Sequence, residues 1–176
     1  MARRGRITFG LAALAALALP GCASLPDDFA MVGEAALPAF DPLVFFEGRL
    51  EGQGTLDKGL LGTVPIRVES TGTVAPSGVL TLVQVIHEGE KPARTRTWEM
   101  RRLSEGRYEA SLTDADGPVE IWTKGNTLNI RYTMDGSFTV KQRLALSPDG
   151  QRATNAMQVD LLGARVAMLS EVIERE

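Results

Sequence analysis

Few of the 176 residues can do covalent chemistry: the chain has one cysteine, Cys22, and one histidine, His87. A thiolate is a nucleophile, and an imidazole can move a proton or bind a metal ion. The other group with chemical reach is a set of alternate residues, Arg94, Arg96, Trp98, Met100 and Arg102. A guanidinium can stack on an indole face and fork onto a carboxylate or phosphate. An anionic head group is what such a set would hold.

Cys22 sits at the end of a segment with the three parts of an export signal. Arg3, Arg4 and Arg6 make a basic start, Ile7 to Leu19 an apolar run, and Leu19-Pro20-Gly21-Cys22 a small-residue cleavage region. The run of 13 residues is short of the roughly 20 that span a bilayer as a helix. The segment looks like a bacterial lipoprotein signal, with Leu at the third place before the cysteine and Gly just before it. We therefore expect residues 1–21 to be removed and Cys22 to carry a diacylglyceryl group, tying the chain to a membrane. In that class the residue after the cysteine influences sorting. Ala23 lacks the Asp that favours inner-membrane retention, so the expected location is the outer membrane, facing the periplasm.

The remaining candidates carry less. His87 would need Ser70 or Ser111 for a nucleophilic site, and no Gly-x-Ser-x-Gly elbow exists. One imidazole with Glu88 and Glu90 is a weak ligand set. Asp114-Ala115-Asp116-Gly117 resembles the start of a calcium loop but lacks the Glu at its twelfth place, so it reads as a hairpin turn. No catalytic residue, metal or cofactor is expected. For the alternating arginines two placements are open. Arg94, Arg96 and Trp98 could line a barrel mouth as a ligand-binding site. The plainer placement is an outer face, where arginine stems cover Trp98 and pair with Glu109 or Glu120. Which way Trp98 points separates the two.

The chain is long enough for one domain. Its formal charge of −3 becomes −6 once Arg3, Arg4 and Arg6 leave with residues 1–21. An acidic, mixed surface without a basic stripe argues against nucleic acid. With Cys22 lipidated, no cysteine is left for an intrachain disulfide.

The elements that position these residues are strands. Leu25 to Ala39 reads as a solvated tether, with a short helix possible over Phe29–Leu37. Asp41-Pro42 is a helix start, since Asp caps free N–H groups and Pro suits the first helical position. A single turn would plug the domain with Phe45 and Phe46. From Gly48 the pattern has period two, the mark of half-buried strands. Gly48, Leu50, Gly52, Gly54 and Leu56 share a face, as do Leu128, Ile130, Tyr132 and Met134. At the C-terminal end Ala164, Val166, Met168 and Val172 share another. Turn pairs such as Ser77-Gly78, Glu105-Gly106, Gly125-Asn126 and Asp149-Gly150 recur roughly every ten residues, the spacing of an antiparallel meander. Eight to ten such strands form a closed barrel or two packed sheets, and closure removes exposed edges.

Phe40-Asp41 and Phe46-Glu47-Gly48-Arg49-Leu50, then Gly89-Glu90 with Arg96-Thr97-Trp98, then Asn155, Gly163 and Val166, carry a likeness. From Phe40 onward the chain resembles the domain of unknown function 3833 family, bacterial lipoproteins with an expected lipocalin-like barrel. The resemblance implies fold and location, not a mechanism. The expected organisation is a signal over 1–21, a lipidated tether over 22–39, and an all-β, lipocalin-like antiparallel barrel of about 8–10 strands with a short N-terminal helical turn over 40–176. The expected function is a non-enzymatic, membrane-anchored binder or carrier of a lipid or other apolar molecule. Two alternatives stand beside it: a solid-core envelope module that holds a partner protein, and a lipid-modifying enzyme using His87 or a carboxylate.

Overall fold

The period-two segments become ten strands in the computed structural model, which describes residues 22–176. The expected signal, 1–21, lies outside the described residues. A helical turn, α1 (Pro42–Phe45), precedes β1 (Gly48–Asp57), β2 (Thr63–Val74), β3 (Leu80–Glu88), β4 (Arg94–Ser104) and β5 (Arg107–Leu112). The chain continues through β6 (Val119–Lys124), β7 (Thr127–Met134), β8 (Phe138–Leu146), β9 (Arg152–Leu161) and β10 (Ala164–Arg175). Each strand pairs antiparallel with its neighbours in sequence, and β1 pairs with β10 to close the barrel.

One end is shut. Asp41 accepts a hydrogen bond from the Leu43 N–H at 3.1 Å and Pro42 opens the turn, as the cap rules require. Phe40, Phe45 and Phe46 meet edge to face or tilted, with centroids 5.1–6.4 Å apart. All three are buried, each contributing about 1.5–3 kcal/mol of burial. Arg175 donates to the carbonyls of Val44, Phe45 and Glu47, and Arg102 pairs with Asp41 at 2.6 Å, so both ends of the turn are fastened to the barrel.

The segment from Cys22 to Ala39 is a strap on the outer wall, not a free tether. It starts at the far end, where the Ser24 N–H donates to Asp57 at 2.8 Å. Midway the Val32 N–H donates to Thr154 Oγ1. At the plugged end Asn126 clamps it: Oδ1 accepts from the Ala35 N–H, while Nδ2 donates to the carbonyls of Gly33 and Leu146. Gly125 is required beside it, since its φ is +54° and a Cβ would come within 2.2 Å of the Ala35 carbonyl oxygen. The short helix expected over Phe29–Leu37 is absent; those backbone groups bond to the barrel instead.

The inward faces follow the alternation, with one correction. In β10 the residues inside are Leu169, Glu171 and Ile173, not the set running through Met168 and Val172. A bulge between Arg165 and Ala167 shifts the register, and the strap runs along the outer face of this wall. Both faces therefore suit apolar residues, and alternation alone misassigns them.

Candidate functional site

The shut end carries most of the core. A large cluster runs from Phe40, Phe45 and Phe46 through Leu80, Trp98, Leu128, Val140 and Leu144. A second, smaller cluster of Ile66, Val68, Ile86 and Leu169 lines the β2–β3–β10 wall. Between them lies a cavity reaching from Phe46 to a mouth at Leu56, Glu88 and Arg94. Its volume is about 90 Å³, rising to about 810 Å³ when the open mouth and its solvent are counted. An apolar cavity of about 150 Å³ takes benzene, so the enclosed part is smaller than that and a longer guest extends into the open mouth. Met100 and Met157 in its walls can adapt to shape. The interior is therefore not packed throughout.

The strand β4 points its unusual set inward. Arg94, Arg96, Trp98 and Met100 all line the cavity, and Trp98 is only 4% exposed. The outer placement is therefore corrected. The neighbouring Arg101, on the opposite face, is the one that pairs with Glu109. Within the set the three arginines divide by depth. Arg94 stands at the mouth and pairs with Asp114 at 2.6 Å. Arg102 sits at the plug with Asp41. Arg96, between them, is held by an amide: Gln84 Oε1 accepts from Arg96 Nε at 2.8 Å and from Trp98 Nε1 at 2.9 Å. Gln84 Nε2 in turn donates to Ser70. The Arg96 guanidinium lies 5.6 Å from the Trp98 ring, and Tyr132 meets that ring edge-on at 6.0 Å.

The opposite wall holds what the sequence reading missed. Glu171 is 5% exposed and Asn155 1%. Asn155 Nδ2 donates to Glu171 Oε2 at 2.8 Å. Asn155 Oδ1 and the Oε1 of Gln142 are buried with no hydrogen-bond partner. Each orphaned acceptor costs about 1–3 kcal/mol. Burial pushes the Glu171 carboxyl above its ordinary range, and the Asn155 hydrogen bond and the Arg96 charge only partly offset it. Gly52 makes the room, because a Cβ there would stand 2.0 Å from Glu171 Oε1. The signal in the sequence was an acid alternating with Leu169 and Ile173, facing Gly52 and Gly54 on the paired strand.

At the mouth, burial raises the Glu88 carboxyl, but hydrogen bonds and charges from Lys58 and Lys91 outweigh it and hold it low. His87 faces away from the cavity. It lies on the outer wall 3.3 Å from Arg67 and 3.5 Å from Glu69, whereas Ser70 points inside. In the β5–β6 turn Asp114 pairs with Arg94, and Asp116 accepts from the Gly136 N–H. No cluster of three or more His, Cys, Asp or Glu able to hold a metal ion occurs among the described residues. Cys22 is exposed and unbridged, at the mouth end of the strap.

Ten antiparallel strands closed on themselves, plugged at one end and hollow toward the other, define a lipocalin-like barrel. The chain belongs to the family described as protein of unknown function (DUF3833), which matches residues 16–167. No curated protein matches it. Among solved structures it is similar to the S-type phycobiliprotein lyase CPES from Guillardia theta, at 7% identity and a TM-score of 0.61, over 76% of this chain and 90% of that one. It is also similar to a protein of unknown function from the DUF3598 family of Nostoc punctiforme, at 14% identity and a TM-score of 0.60. That match covers 79% of this chain and half of the other. The likeness is one of fold. It nonetheless corrects the expectation of a protein that is not an enzyme: a barrel of this shape belongs to a protein named as a lyase, so barrel and pocket are no ground for excluding catalysis.

Proposed function

We propose that this chain is a lipoprotein of the cell envelope, anchored through acyl chains on Cys22, whose barrel takes up a slender apolar or amphipathic molecule. The observation that carries the reading is a coincidence at one end of the barrel. The cavity opens beside Leu56, Glu88 and Arg94, and Ser24, two residues after Cys22, is bonded to Asp57 at the same rim. Acyl chains on Cys22 bring the mouth to the bilayer surface. Each buried methylene contributes about 0.8 kcal/mol, and two or more chains make the anchoring stable. Leu60, Leu61 and Leu162, 84–90% exposed at this end, add an apolar rim. Ala23 supports the outer membrane, with the domain in the periplasm. The reading commits to uptake and leaves carriage and conversion as two uses of one cavity.

Intact and native mass spectrometry of protein purified from its own host's membranes tests both halves. The expected result is a polypeptide that begins at an acylated Cys22 and retains a small apolar molecule. A free thiol with residues 1–21 still attached overturns the anchor. Recovery of no ligand, with tryptophan fluorescence unmoved by any single-chain amphiphile, overturns uptake.

A further inference from the structure

The cavity's two polar walls differ in how their hydrogen bonds are spent, and the difference names a head group. On one wall Gln84 bonds Arg96, Trp98 and Ser70. Arg96 is fixed through Nε by Gln84 and has Tyr132 as a further partner, and the rest of its five N–H donors face the cavity it lines. On the other wall Gln142 lines the cavity with a buried Oε1 that has nothing to accept from, while the orphaned Asn155 Oδ1 lies behind the lining. The Gln142 oxygen is the orphan that a molecule in the cavity can satisfy.

We propose, resting on the uptake reading above, that the molecule held here carries a neutral, hydroxylated head group on a single apolar chain, as a monoacylglycerol does. Its hydroxyls donate to Gln142 Oε1, and its oxygens accept from the Arg96 amino groups. A hydroxyl both donates and accepts, so one kind of group serves both walls. A fatty-acid carboxylate satisfies Arg96 but leaves the Gln142 oxygen orphaned. A bare alkane or a methyl ester supplies no donor. The chain leads out past Leu56 and Ile86.

The test is a binding panel on the full-length mature chain, read by tryptophan fluorescence, to which Trp98 in the cavity wall and Trp122 both contribute. The probes are a monoacylglycerol, the fatty acid of the same chain length, and its methyl ester. Wild type should bind the monoacylglycerol about tenfold or more tighter than the other two. Gln142→Leu should remove about tenfold of that affinity while leaving methyl-ester binding unchanged. Equal affinity for all three probes overturns the head-group assignment while uptake stands. Tighter binding of the fatty acid overturns it in favour of an anion site on Arg96. Binding of none of the three overturns uptake, and this inference with it. The wild-type panel decides the matter even where a variant fails to fold.

Discussion

Two asparagines, each 1% exposed, sit on neighbouring walls and do opposite things. Asn126, at the plugged end, has its side-chain oxygen and amide all engaged, with Ala35, Gly33 and Leu146. Asn155, in the hollow half, has one bond to Glu171 and an oxygen with none. Burial is equal, so burial does not distinguish structure from function here. Satisfaction does. A buried amide that closes its own bonds holds the fold together, while one left open is a cost that a bound molecule can relieve.

The comparison breaks first at the asparagines themselves. Asn126→Leu orphans the Ala35 N–H and two carbonyls and should destabilise the protein by about 3 kcal/mol. Asn155→Leu should cost less, about 1 kcal/mol, since the orphan it deletes partly offsets the bond that Glu171 Oε2 loses. Urea denaturation of both variants checks this, and equal losses would erase the distinction. A second, smaller effect sharpens it. Gln142→Leu replaces an unpartnered acceptor by an apolar group of similar size and should stabilise the empty protein by about 1 kcal/mol. A loss of stability there would mean that Gln142 serves the fold.

The smallest effect is one of pH. A carboxyl raised by burial holds its proton more firmly folded than unfolded. Above about 4.5, the ordinary value for Glu, the unfolded chain releases a proton that native Glu171 keeps, so stability falls as pH climbs through that interval. The positive charge facing it is Arg96, whose attraction limits the rise. Glu171→Gln should flatten the melting temperature against pH over this range. An unchanged slope would assign the dependence to other groups.

Much of this fold was legible. Period-two runs and Gly-containing turns mark the strands, and Asp41-Pro42 with Phe45 and Phe46 marks the plug. These features are local, and local rules reach them. The inward set of β4 was visible as a set but not as inward, because alternation says which residues share a face and not which face is the core. No local pattern marks Glu171 as an inward acid. Only pairing of β10 with β1 brings Gly54 opposite it and Gly52 against its carboxyl, and that pairing joins the two ends of the barrel sequence. The bulge in β10 hid the parity further. What escaped was the part that depends on closure.

The strap has a mechanical consequence. Eighteen residues from Cys22 to Ala39, drawn out, would reach about 60 Å, enough for a domain to swing far from its mooring. Fastened at Ser24, Val32 and Ala35, with Ala23 buried, they leave Cys22 alone as slack. Under the proposed acylation the domain works as a valve seated on one leaflet, trading its cargo with the lipids directly beneath it, and not as a shuttle crossing to a distant membrane.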